Sequence, residues 1–154
     1  MLQQLIYVAL SSAVPLTEQR LAIPVAVGAG SLDPIHVCIA SYLGSLLPVP
    51  FVLLFFNAIF KWMKKYKAFD KINIFIENKI RKNSAKMVKY KELGLIAFIA
   101  IPLPTTGIWT GSVVAAVLGL DIKKSMLCAA IGGLISAVLI TVISVVVGAA
   151  FFGV

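Results

Sequence analysis

The sequence predicts an all-α integral membrane protein made of two inverted repeats. Each repeat is a re-entrant helical hairpin followed by one transmembrane helix, and a cytoplasmic amphipathic helical linker joins the two. Three observations predict this. First, 60% of the 154 residues are hydrophobic and only 13% are charged, whereas a soluble domain is about 45–50% apolar and about 25% charged. Second, two long stretches lack formal charge, and two others are apolar but broken in the middle by Pro, Gly and Thr. Third, the basic residues are concentrated between the halves. The length suits a single membrane domain, 1–154, with no separate soluble unit.

Segment 1–32 is expected to be hairpin 1. It is apolar, carries Pro15 and Pro24, and holds Glu18 and Arg20 between them. Each half of the segment is about 10–14 residues, or roughly 15–20 Å of helix, which reaches about halfway through a bilayer. Irregular backbone at that depth is tolerated only where protein or a water-filled cavity covers it. The alternative is one kinked full span. The N-terminus lacks a basic n-region, so no cleaved signal peptide is expected.

Segment 33–60 is expected to be the first transmembrane helix. Residues 35–60 carry no formal charge apart from His36 when protonated, and their length exceeds the roughly 20 residues a span needs. Pro48 and Pro50 should kink it. Asp33, just before the span, reads best as its N-cap. His36 either titrates with Asp33 or simply sits at the interface.

Segment 61–92 is the expected linker. It contains eleven Lys and Arg against Asp70, Glu77 and Glu92, and so carries the whole net charge of +8. Basic residues beside spans mark the cytoplasmic side. Trp62, Tyr66, Phe69, Ile72, Ile76 and Ile80 recur at helical spacing, which predicts an amphipathic helix on the membrane surface, broken near Asn83-Ser84. Its role is topology and anchoring, or the gathering of anionic lipids. Binding to nucleic acid is disfavoured because membrane segments flank the basic run.

Segment 93–120 is expected to be hairpin 2, broken at Ile101-Pro102-Leu103-Pro104-Thr105-Thr106-Gly107. Segment 121–154 is the second transmembrane helix, charge-free from residue 125 onward. Charge placement tests the topology. With the linker in the cytoplasm, a re-entrant hairpin 2 keeps Lys123 and Lys124 inside, whereas a full span would send them outside against the positive-inside rule. The halves also align. At an offset of 88, Asp33 meets Asp121, Gly44 meets Gly132 and Ser45 meets Gly133, and at 87 Pro15 meets Pro102. Elements in the same order on opposite sides of a membrane are the pattern of an inverted repeat.

Glu18 is the foremost candidate for chemistry. Desolvation of a carboxyl favours its neutral form, which suits a proton carrier. Arg20 stays charged, and the pair together serves proton-linked transport or merely fixes the hairpin tip near water. Thr17 is a candidate cap for the half-helix starting near Glu18. Thr105, Thr106 and Gly107 should start the returning half-helix, whose positive dipole end would hold Glu18 or an anionic substrate group. Trp109, Thr110 and Ser112 are candidate cavity-lining residues. The plainer alternative for this set is helix capping and close packing. Cys38 and Cys128 read as buried free thiols, without metal-ligand spacing. No phosphate loop, metal cluster or nucleophile triad is present, so neither an enzyme nor a bound cofactor is expected.

The run Pro15-Leu-Thr-Glu18-Gln-Arg20-Leu-Ala-Ile-Pro24, ending in Gly28 and Gly30, resembles the first hairpin of the DedA (VTT-domain) superfamily. Ile101-Pro102 through Gly111, followed by Leu118-Gly-Leu-Asp121 and Gly132-Gly133, resembles its second hairpin and following span. Size and the basic middle bring the chain nearest to the putative small multidrug export protein family, a relative in that superfamily. The resemblance implies facing hairpins and proton-linked transport of a polyprenyl-phosphate-like lipid or other amphiphilic anion, with Glu18 as the acidic residue of hairpin 1. The chain departs from the DedA pattern at the second tip, where Thr105 and Thr106 stand in place of arginines. The expected partners are membrane lipids, protons, a lipid-linked or small-molecule substrate and a second copy in a homodimer. The expected location is the plasma membrane, crossed more than once. A proton-coupled exporter of hydrophobic cationic drugs and a non-transporting scaffold are the alternatives.

Overall fold

The computed structural model describes residues 1–15, 17–63, 85–102 and 107–152. Every element among them is helical: α1 Leu2–Ala13, α2 Glu18–Gly28, α3 Pro34–Leu46, α4 Val49–Met63, α5 Ala85–Ala100, α6 Ile108–Val117 and α7 Ile122–Phe152. Two stretches are long and apolar enough to cross a membrane, Pro34–Ile59 and Ile122–Ala150. They fall where the two charge-free runs predict spans.

Local chemistry sets the breaks. α1 stops before Pro15, where Val14 is already extended at φ −83°, ψ 136°, because a residue preceding proline avoids the α region. α3 starts at Pro34, with the Asp33 side chain accepting a hydrogen bond from the Ile35 N–H at 2.8 Å. This is the N-cap expected at Asp33, and Pro at the first helical position suits it. The expected kink in the first span falls at a two-residue interruption: α3 ends at Leu46, Leu47 keeps helical backbone, and α4 begins at Val49. Pro48 and Pro50 each lack the N–H that a continuous helix would use there. Gly30 and Gly119, both in left-handed backbone (φ 64° and 66°), turn the chain into α3 and α7 respectively.

The last part of the predicted linker, from Ala85 on, is helical and continues without interruption into segment 93–120 as α5. The amphipathic stripe from Tyr66 to Ile80 lies outside the described residues.

α1 and α2 pack on α3, α5 and α6 pack on α7, and α7 also contacts α2 and α3. The core has two parts. Val8, Ala22, Ile23, Val37, Ala137 and Ile140 join α1–α3 to α7. Leu53, Leu95, Ile99, Ile108, Ala115 and Ala129 join α4–α6 to α7. Small residues permit the close approaches. A Cβ on Gly44 would lie 2.6 Å from the Ala9 carbonyl carbon, and one on Gly132 would lie 2.9 Å from the Ile96 oxygen. The segment 93–120 has its two ends tied together, since Lys124 Nζ of α7 lies 3.0 Å from Glu92 Oε1 of α5.

Candidate functional site

The N-terminal ends of α2 and α6 meet inside the protein. Glu18 opens α2 in left-handed backbone, φ 35°, a conformation that is uncommon for any residue but glycine. Its side chain is buried, at 7% exposure, and Oε1 accepts the Ile108 backbone N–H at 2.6 Å. Ile108 is the first residue of α6, so the carboxylate closes the end where free N–H groups and the positive dipole converge. The other carboxylate oxygen lies over Gly107, so close that a Cβ there would overlap it.

Neighbouring contacts bind the same two regions. Arg20 Nη2 donates to the Ile101 carbonyl at 3.3 Å, and the charges of Arg20 and Glu18 interact. Trp109 Nε1 donates to the Ala13 carbonyl at 3.3 Å, crossing from α6 to α1. The Thr110 hydroxyl accepts the Gly107 N–H at 2.7 Å. Of the predicted site residues, the structure therefore brings Glu18, Arg20, Gly107 and Trp109 together. Thr105 and Thr106 lie outside the described residues.

Two predicted roles are corrected. Thr17 precedes α2 but does not cap it: no side-chain cap bond forms, and its hydroxyl donates back to the Ser11 carbonyl. Left-handed Glu18 redirects the first turn, so the Thr17 oxygen points to α1 rather than to the α2 N–H groups. Ser112, expected in a cavity, is buried and donates to the Ile108 carbonyl at 2.7 Å. An open groove of about 340 Å³ runs along α1 and α2 and reaches Thr17, next to Glu18 in sequence. Tyr7, Val8, Leu21 and Val25 line its middle, with Ser11 and Thr17 near the Glu18 end and Gln4 and Ser31 far from it.

Sequence reasoning missed Gln19. It is 1% exposed and hydrogen-bonded to both spans, with Nε2 donating to the Gly133 carbonyl at 3.1 Å and Oε1 accepting from the Ser45 hydroxyl at 3.3 Å. The usable signal was an uncharged amide inside an apolar stretch, one place from the acid. Two more polar contacts were equally silent in sequence: Ser12 to Ser41 at 2.6 Å and the Tyr42 hydroxyl to the Ala130 carbonyl at 3.1 Å. Of the cysteines, Cys128 is buried and Cys38 half-buried, and both are free thiols.

A family model described as "Putative small multi-drug export protein" matches residues 18–139. The chain belongs to that family. The match opens on Glu18 and takes in α2 through α6 and the first half of α7, so Glu18 and the α6 N-terminus that it meets both lie within it. No curated protein and no solved structure matches the chain. Family and apolar helices together point to a membrane protein of the export class.

Proposed function

We propose that this protein is a proton-linked membrane transporter that moves an amphiphilic anion, such as a lipid phosphate of the polyprenyl type, across the bilayer. The observation that carries the reading is the buried Glu18 carboxylate on the α6 N-terminus. One site there accepts one anion. With Glu18 ionised, its own carboxylate fills the site. Once Glu18 is protonated, the α6 N–H groups and the Arg20 guanidinium hold the anionic group of the substrate instead. The Glu18 carboxylate and the substrate anion thus compete for one contact, and a proton on Glu18 favours substrate binding. The groove along α1 and α2 offers its apolar length to the hydrocarbon part.

The architecture proposed with this mechanism is two inverted repeats. In each, a hairpin (1–32 or 93–120) dips partway into the membrane and returns to its own side. The Glu92–Lys124 ion pair supports this for hairpin 2, since it joins the residues flanking that hairpin. The repeat is supported by equivalent residues in equivalent jobs. Gly44 and Gly132, 88 apart, each admit the backbone of the first helix of their own half. Tyr42 and Ala130, also 88 apart, touch each other, as residues beside a two-fold axis do. The linker faces the cytoplasm, the protein sits in the plasma membrane, and a second copy covers the hairpin flanks that two spans leave open.

The family description favours a second reading, export of hydrophobic cationic drugs in exchange for protons at Glu18. Reconstituted vesicles under a pH gradient separate the two. Loss of fluorescent isoprenyl-phosphate movement in both Glu18→Gln and Arg20→Ala supports the anion reading. Loss of cationic-dye efflux in Glu18→Gln alone supports the drug reading. Unchanged flux and binding in both variants leaves a scaffold and removes the proposal.

A further inference from the structure

Gln19 follows Glu18 on the first turn of α2 and is sealed from solvent and lipid. A buried amide is unfavourable unless its donors and acceptors are used. Here the carboxamide spans two elements, α3 through the Ser45 hydroxyl and α7 through the Gly133 carbonyl. The Ser45 hydroxyl has a second acceptor, the Tyr42 carbonyl at 2.9 Å, so it can leave Gln19 without being stranded. Ser45 and Gly133 are 88 residues apart in sequence, the same offset that relates Gly44 to Gly132. Gln19 therefore bridges equivalent points on the two spans. A change in their crossing carries its two partners in different directions and breaks a bond. Next to it, Glu18 holds left-handed backbone, which a non-glycine residue keeps only when its surroundings impose it.

We infer that Gln19 is the positioning residue for Glu18: its amide, clamped between Ser45 and Gly133, holds the first turn of α2 where the Glu18 carboxylate meets the α6 N-terminus, and lets go when the spans shift. The inference rests on the reading of Glu18 as the proton-linked group. Arg20 is the charged side chain acting on Glu18. The other titratable side chains on the helices packed against α2 are Tyr7 on α1, His36, Cys38 and Tyr42 on α3, and Lys123, Lys124 and Cys128 on α7, and α6 has none.

The test uses the full chain in phosphatidylethanolamine–phosphatidylglycerol vesicles. Dicyclohexylcarbodiimide, a hydrophobic reagent for protonated carboxyls, is applied across a pH series, and the adduct on the Glu18 peptide is measured by mass spectrometry. In the native protein, labelling falls as pH rises through one midpoint. Gln19→Leu keeps the bulk and removes both bonds. With the carboxylate held less firmly on the N–H groups, its midpoint moves up by about one pH unit, a roughly tenfold change in proton concentration. Ser45→Ala removes one bond, moves the midpoint in the same direction by less, and decides the matter if Gln19→Leu does not fold. Native midpoints in the folded variants, with only the unfolding temperature lowered, overturn the inference and make Gln19 a packing residue. Labelling of Glu18 that ignores pH in the native protein overturns the proton-linked reading itself.

Discussion

Gly107→Ala is expected to push Glu18 off the α6 N-terminus. The backbone at Gly107 is extended, φ −160°, so alanine fits the chain, and the atoms nearest to its Cβ belong to the Glu18 carboxylate. A Cβ at this position would sit 2.8 Å from Glu18 Oε1 and 2.9 Å from Cδ, where ordinary contacts begin at 3.4 Å. Clearing Oε1 alone needs a retreat of about 0.6 Å, which stretches the 2.6 Å bond from the Ile108 N–H to about 3.2 Å, the long end of the range. The nearer oxygen demands more. A hydrogen bond to a charged group contributes roughly 1.5–3 kcal/mol, so a loss of about 2 kcal/mol follows. Alanine is also a poorer N-cap than glycine, by roughly 1 kcal/mol. A double-mutant cycle with Glu18→Ala removes that second effect, because it appears in both backgrounds. Reversible unfolding in mixed micelles should give a coupling of at least about 1.5 kcal/mol between the two positions. Additive losses, with coupling under about 0.5 kcal/mol, would refute the claim that this contact joins the two turns.

Other outcomes follow from the same geometry. Gly44→Ala should prevent folding or lower the unfolding temperature sharply, because its Cβ meets the Ala9 backbone, which cannot swing aside. Gly94→Ala, with nothing within 4 Å, should instead stabilise α5 by about 0.5–1 kcal/mol in the same melts. Glu92→Gln should leave stability close to that of the native protein, since its partner Lys124 is 51% exposed; a clear loss in denaturant titration would mean that the pair is shielded. The Ile35 N–H holds the Asp33 carboxyl below the usual aspartate range, with His36 contributing in the same direction. A lowered folded-state pKa stabilises the protein above the ordinary aspartate pKa, and the effect is lost as pH falls through the folded one. The stability gap between native protein and Asp33→Ala should therefore be open at neutral pH and close below the ordinary aspartate range, as followed by unfolding across a pH series.

Much of the fold could be read from sequence because lipid imposes simple rules. A run without charge long enough to cross the bilayer has few alternatives, and Pro34–Ile59 and Ile122–Ala150 fall where those runs lie. Prolines remove hydrogen bonds wherever they stand, so the breaks at Pro15 and Pro48 could be placed. The Asp33 cap followed from its position before Pro34. At the site, Glu18 stood out as a charge among apolar neighbours, and the start of α6 stood out as a helix beginning after prolines. That the first would reach the second was one of two options left open, because facing turns 90 residues apart depend on how α2 and α6 pack. The role of Gln19 could not be read, since an amide has no periodic signature and its partners are a hydroxyl and a main-chain carbonyl. Thr17 misled for a local reason: capping rules assume an ordinary first turn, and Glu18 leaves it with φ 35°.

Side-specific thiol labelling tests the central claim most directly. Cys38 and Cys128 are replaced by alanine, and single cysteines are placed at Gln3 and Lys123, both exposed. In intact cells, an impermeant maleimide should label position 3, and position 123 should react only after the membrane is opened. The reverse pattern, with position 123 labelled from outside and position 3 protected, would mean that 1–32 and 93–120 each cross the whole bilayer, and the meeting of two half-inserted turns at Glu18 would be wrong.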